Sequence, residues 1–389
     1  MFVFEIIINV MKKLIFVCCA VLCASILSFG QSTAKKSITA TSGETYVQKQ
    51  GSYTPSFAVD GKQTKVKNVI LLIGDGMGWG AVNSAMYGNG GELTMTNLQV
   101  WGSARTQSAN AFTTDSAASG TAYSTGEKTN NGYVGVAADG SRLENLPEKL
   151  SELGYVSGVV STDDLHGATP AAFFAHNSAR GASEAIWADL PSSALSFASA
   201  GTSKVFENLE LKTREEISRV FSVVYSPDDE AVKGSGRLLY LPESVKADRG
   251  DYLPRTTQMA IDYLSSKAGK GFFLMVEGAR IDKEEHGNNY PEMVFETLDF
   301  DKAVEVAVRF AEKDGHTLVI ITADHETGAV CLTRGEPADG FVQGTFSSKG
   351  HSPMMVPLFA YGPHSTDFSG AQENSEVGQK IFSLLSAKK

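Results

Sequence analysis

Five short apolar runs constrain this fold most: Val66–Ile73, Val156–Val160, Phe272–Val276, Thr317–Thr322 and Val356–Tyr361. They are largely continuous instead of alternating, the pattern of strands covered on both faces, as in a parallel sheet. Helical periodicity fills the intervals. Glu144–Leu153 stops at Gly154, and Thr256–Ser266 carries Met259, Ala260, Tyr263 and Leu264. Asp301–Lys313 sets Ala303, Val304, Ala307 and Phe310 on one face before Gly315. This alternation predicts an α/β fold: a doubly wound, mostly parallel central sheet with helices on both faces. A single catalytic domain is expected over residues 66–389, with an insertion around 181–250.

The N-terminus reads as a leader. Lys12-Lys13 precede an apolar run from Leu14 to Leu27, and Ser28 and Gly30 supply small residues at −3 and −1. This pattern predicts a signal peptide over residues 1–30, with Met11 as the better start and cleavage after Gly30. Leu22 before Cys23 argues against a lipoprotein signal. Residues 31–65 are polar and read as an N-terminal arm. Cleavage removes three of the four cysteines, leaving Cys331 in an apolar stretch, where a buried small hydrophobe is expected. No internal disulfide is then available. A net charge of −10 rules against a surface that neutralises a phosphate backbone, so nucleic acid is not expected as a specific partner.

The chemistry follows the strands. Val69–Ile73 leads into Gly74-Asp75-Gly76, Phe272–Val276 into Glu277-Gly278, and Thr317–Thr322 into Ala323-Asp324-His325. Ligands of parallel α/β sheets bind beyond the carboxyl ends of strands, so three carboxylates are delivered to one edge. Close carboxylates repel and require a cation. Asp282 and His286, four apart, face one side of a helical turn, and His351 lies in a Gly-flanked loop before the Val356 strand. Mixed Asp/His sets favour zinc, and an oxygen set such as Asp75 with Glu277 favours magnesium. Ser116 opens an Ala/Gly-rich run that reads as a helix start, where free N–H groups attract an anion. It lacks a Gly-x-Ser-x-Gly elbow, so metal activation suits it better as a nucleophile than a base does. His316 and His364 read as surface residues, and Arg249-Gly250-Asp251 as an ordinary turn.

Taken in order, Asn68–Gly78, Asp115–Gly126, Ala168-Thr169-Pro170 with Arg180, Val276–His286, Thr322–Glu326 and Gly350–Pro363 resemble the alkaline phosphatase family over most of residues 66–365. The resemblance implies two zinc ions and one magnesium at the carboxyl edge of the sheet, and a serine that is phosphorylated by a phosphate monoester and then hydrolysed. It implies that Ser116 is the nucleophile and Arg180 the phosphate clamp. One zinc would take Asp282, His286 and His351; the other would take Asp324 and His325, with Asp75 bridging towards magnesium. Magnesium would take Asp75, Thr169 and Glu277, and Lys283 would approach phosphate through water. At Gly167 the family usually has Asp or His, which orders the magnesium's waters; a weak magnesium site is therefore expected, or a nitrogen-containing site that prefers zinc if His166 turns inward. Residues 181–250 match the family poorly.

The leading expectation is a periplasmic or secreted phosphomonoesterase for small-molecule substrates, a homodimer by resemblance, with no membrane contact after cleavage. A phosphodiesterase or sulfatase of the same superfamily is the alternative, although no Cys/Ser-x-Pro-x-Arg stretch surrounds Ser116. A protein that binds metal and phosphate without turnover is disfavoured by the presence of both Ser116 and Arg180. Gly76-Met77-Gly78-Trp79-Gly80-Ala81 formally satisfies a dinucleotide-binding pattern, but no acidic residue ends a strand about 20 residues on.

Overall fold

Alternate residues of the Val69–Ile73 run enter two different hydrophobic clusters, which explains why the run is continuous. Ile70 and Leu72 join one cluster with Leu274, Val276, Val319 and Ile321. Val69, Leu71 and Ile73 join the other with Phe273, Met275, Leu318 and Ile320. Each of these five side chains is fully buried, which contributes roughly 1.5–3 kcal/mol apiece relative to exposure. The strands are thus covered on both faces, as the pattern predicts.

A computed structural model describes residues 40–234 and 236–387. The leader expected over 1–30 lies outside the described residues. The central sheet has ten strands, in the order Gly370–Glu373, Val100–Arg105, Val356–Tyr361, Thr317–Thr322, Asn68–Gly74, Phe272–Gly278, Val156–Ser161, Leu195–Ser199, Arg237–Tyr240 and Phe221–Val224. Val356–Tyr361 runs antiparallel to both neighbours, and the remaining pairings are parallel. The chain is therefore α/β with a mostly parallel sheet. Residues 181–250 supply three strands at one end of this sheet.

The helices follow their signals with shifted ends. Leu146–Glu152 carries a capping box between Asn145 and Glu148, with Pro147 in its first turn. Tyr290–Asp314 is much longer than the Asp301–Lys313 pattern; Pro291 opens it, and Gly315 stops it at φ 72°. Among the described residues no helix is long and apolar enough to cross a membrane.

Two small sheets complete the fold of the described residues. Within the arm, Thr41–Tyr46 pairs antiparallel with Phe341–Phe346, which also pairs with Val330–Glu336. Cys331 lies on that last, edge strand and is exposed, not buried as expected. Strand alternation turns its side chain to solvent while Val330 and Leu332 pack against the core. The second sheet pairs Glu326–Thr327 with His351–Ser352, and its register sets Thr327 opposite His351. Arg249 of the Arg-Gly-Asp tripeptide is buried against Glu296 and Asp299, so the tripeptide is a locked turn.

Candidate active site

The residues singled out in the sequence converge at the carboxyl edge of the sheet. Asp75 follows the Asn68–Gly74 strand, Glu277 ends the Phe272–Gly278 strand, and Asp324-His325 follow Thr317–Thr322. Gly76, at φ +77°, makes the first turn possible: a Cβ there would lie 2.8 Å from Asp282 Cβ. Without that side chain, the short helix Arg280–His286 docks directly on the turn, and Asp282 N donates to Asp75 O at 2.9 Å.

Three histidines point bare nitrogens at acceptors. His351 Nδ1 lies 3.0 Å from Thr114 O, and His286 Nδ1 lies 2.5 Å from Lys349 O, so each ring donates from Nδ1. Their Nε2 lone pairs then face each other at 3.2 Å, and both face Asp282 Oδ1, at 3.3 and 3.6 Å. Thr327 Oγ1 donates its one proton to Asp282 Oδ1 at 2.6 Å, so it accepts from His325 Nδ1 at 3.1 Å. His325 Nε2 is left as an acceptor facing Asp324 Oδ2 at 3.3 Å and Asp75 Oδ1 at 3.5 Å. Burial, then His351, lowers the His325 pKa to about 3, so the ring stays neutral.

Acceptors facing acceptors favour a cation between them, and imidazoles with carboxylates are zinc donors. Asp282, His286 and His351 form one compact group; Asp75, Asp282 and His325 form a second, with Asp324 beside it. Asp282 joins both groups, a sharing that linear reading does not reveal. The donor set fits zinc. It also fits magnesium beside it: Asp75 Oδ1 and Thr169 Oγ1 are buried without a hydrogen-bond partner, and Glu277 is 1% exposed. Burial, then the neighbouring carboxylates, raises the pKa of Asp75 well above its ordinary value. Burial, then Asp163, raises that of Glu277 to about 8. Both environments disfavour the carboxylate form, a cost that a bound cation would offset.

Ser116 is the first residue of the helix Ser116–Thr125, and its Oγ lies 3.2 Å from His325 Nε2. Asp115 caps that helix by accepting from Ala118 N at 3.0 Å. Gly120 lets the helix approach Thr169, whose Cα would lie 3.4 Å from a Cβ at that position. Arg180 comes from a distant loop and donates to the second oxygen of Asp115 at 3.0 Å. Loss of hydration would lower the Arg180 pKa, but Asp115, then Asp75 and Asp324, more than offset this and hold it protonated. Lys283 pairs with Asp163.

Sequence reasoning missed Asp163, Thr327 and Glu285. Asp163 was findable, because it follows the Val156–Ser161 strand as the other acids follow theirs. Glu285 is fully buried with neither carboxyl oxygen partnered, and burial, then Asp282, raises its pKa well above the usual range. His166 is turned to Trp187, whose Nε1 donates to its Nδ1 at 3.3 Å. The Gly-rich turn after Asp75 serves packing, since the place of a Gly78 Cβ is taken by Glu326.

The sequence model of the family described as Alkaline phosphatase matches residues 66–214 and 244–343. Alkaline phosphatase H of Pseudomonas aeruginosa is 32% identical, over 80% of this chain and 84% of its own length. Alkaline phosphatase 4 of Bacillus subtilis is 30% identical, over 84% of this chain and 75% of its own. Among solved structures, a variant of the TAB5 alkaline phosphatase with Mg bound in its M3 site is 35% identical, with TM-score 0.78, covering 84% of this chain and 100% of that one.

Proposed function

Because the chain belongs to the alkaline phosphatase family and is a phosphomonoesterase, we propose that it works through a phosphorylated Ser116 at a centre of two zinc ions and one magnesium. Zinc would be held by Asp282, His286 and His351, and by Asp324 and His325 with Asp75; magnesium would be held by Asp75, Thr169 and Glu277. When bound, the metals supply positive charge that favours the serine alkoxide and neutralises the leaving oxygen.

This chain's own residues do the rest. Ser116 presents its hydroxyl at a helix start, where free N–H groups favour the incoming dianion. Arg180 is held by Asp115 with its fork available to two nonbridging phosphate oxygens. Lys283, held by Asp163, adds a second positive charge on the magnesium side. The Ser119 hydroxyl donates to Asp324 O at 2.7 Å, tying the nucleophile's helix to the strand end that carries the metal donors.

The observation that carries this reading is the 3.2 Å approach of Ser116 Oγ to His325 Nε2, a nitrogen whose lone pair faces two carboxylates. Turnover of an aryl phosphate should greatly exceed that of an aryl phosphodiester or sulfate, and phosphate trapped in acid should map to Ser116. Label on another residue, or preferred turnover of the diester, would refute it. Export to the periplasm or medium and assembly as a homodimer belong to the same reading. Cell fractionation and the mass of the purified protein in solution test them.

A further inference from the structure

Magnesium binds about six oxygens in an octahedron and keeps several waters, whose protons need fixed acceptors around the site. Asp75, Thr169 and Glu277 would supply three of those oxygens, and the sequence offers nothing at Gly167 to receive waters at the rest. The space at Gly167 is nevertheless filled. A Cβ there would lie 2.9 Å from Asp163 Oδ2 and 2.8 Å from Asp164 O. The other oxygen of Asp163 receives Lys283 Nζ. Asp163 N donates to Ser161 Oγ at 2.8 Å, and the Ser161 hydroxyl in turn donates to Glu277 Oε2. The Asp163 carboxylate is thus tied through one serine to Glu277 and lies against the loop that carries Thr169. Its charge is the foremost ionic influence on Glu277.

We propose that Asp163 is a positioning carboxylate of the magnesium site, one oxygen accepting from the waters a bound magnesium retains while the other holds Lys283, in place of a side chain at position 167. The proposal rests on the reading of Asp75, Thr169 and Glu277 as magnesium ligands. It replaces the expectation of a weak site with that of an ordinary one whose outer carboxylate comes from earlier in the loop.

The test is calorimetric titration of Mg²⁺ into zinc-loaded wild type, Asp163→Asn, Asp163→Glu and Lys283→Met, with zinc content measured in each. Asp163→Asn should raise the Mg²⁺ Kd roughly 10–100-fold with zinc unchanged, as loss of an outer partner typically does. Asp163→Glu, which keeps the carboxylate, should bind Mg²⁺ more tightly than Asp163→Asn. Lys283→Met should leave the Mg²⁺ Kd unchanged or lower, because it removes a positive charge near the ion, while weakening inorganic phosphate. Equal Kd in wild type and Asp163→Asn would overturn the assignment and leave the magnesium site standing. Equal weakening in Asp163→Asn and Lys283→Met would also overturn it, since Asp163 would then act only by orienting Lys283. No Mg²⁺ binding in wild type would remove the magnesium site itself, and the proposal with it.

Discussion

Asp115 and Arg180 are joined at 3.0 Å through one carboxylate oxygen, while the other oxygen of Asp115 caps the helix that begins at Ser116. One side chain therefore fixes both the candidate nucleophile and the candidate phosphate clamp. Asp115 Oδ2 also accepts from Gly132 N at 2.9 Å, so the capping carboxylate is itself held.

Ser116→Ala should lower kcat by several orders of magnitude and leave bound zinc nearly unchanged, because the proposed ligands lie on other elements. Metal analysis beside an aryl-phosphate assay checks both halves. Loss of zinc together with activity would make Ser116 a structural residue of the metal centre.

Arg180→Ala should weaken competitive inhibition by inorganic phosphate and lower kcat/KM. The side chain is 42% exposed, so the loss is about 1–2 kcal/mol, roughly five- to thirtyfold in Kd. Asp115→Asn keeps a capping group and should reproduce part of this loss with little change in Tm. Asp115→Ala should also cost about 1 kcal/mol of stability through the lost cap. Unchanged phosphate inhibition in Arg180→Ala would assign the arginine to structure alone.

Metal-stripped protein should lose stability as pH rises from about 6.5 to 8. The folded-state pKa of Glu277 is raised from 4.5 to about 8, so its stabilising contribution is full below the unfolded value and is lost as pH rises through the folded one. His325 acts in the opposite direction, but its lowered pKa matters only below about 6.5. Zinc and magnesium displace protons, so metal affinity should rise over the same window. Tm measured with and without metals should therefore diverge with pH, and a stripped Tm that rises from pH 6.5 to 8 would contradict the carboxylate assignment.

Gly167→Asp should not tighten Mg²⁺, although the sequence alone suggests that it would. The added side chain meets Asp164 O and the Asp163 carboxylate, each within 3.0 Å of its Cβ. Overpacking of this kind costs about 1–3 kcal/mol, readable as a lower Tm. A Mg²⁺ Kd below that of wild type would mean that the loop yields and that position 167 is a real gap.

Arg249→Met should destabilise the fold without changing kcat in the folded fraction. Arg249 donates to Glu296 at 2.9 and 2.5 Å and to Asp299 at 2.5 Å, and its loss leaves Asp299 without this partner and buried Glu296 with Arg280 at 3.3 Å. Breaking such a pair costs about 3–5 kcal/mol. Urea denaturation measures this directly, and a change under 1 kcal/mol would show that the two acids rearrange or take up protons.

The strand runs and the acids after them were legible in the sequence because both depend on local covalent geometry. A residue that follows a buried parallel strand is carried to the sheet edge whatever else the chain does, which placed Asp75, Glu277 and Asp324 correctly. Helical spacing likewise set Asp282 beside His286, with 3.3 Å between Oδ1 and Nε2. What sequence pattern misjudged was exposure on an edge: Cys331 sits among apolar residues, but strand alternation turns it outward.

The tertiary structure alone decided the contacts between distant segments. Register in a two-residue sheet sets Thr327 against His351, and with it the stacking of His325 on His351 at 3.5 Å. Packing of the 163–170 loop brings Asp163 into the space that Gly167 leaves, and the Arg180 loop reaches back to Asp115. None of these has a sequence period. Periodicity fixes which way a side chain points along its own element, whereas contact across segments depends on how loops close over a packed core, and that closure is a property of the whole chain.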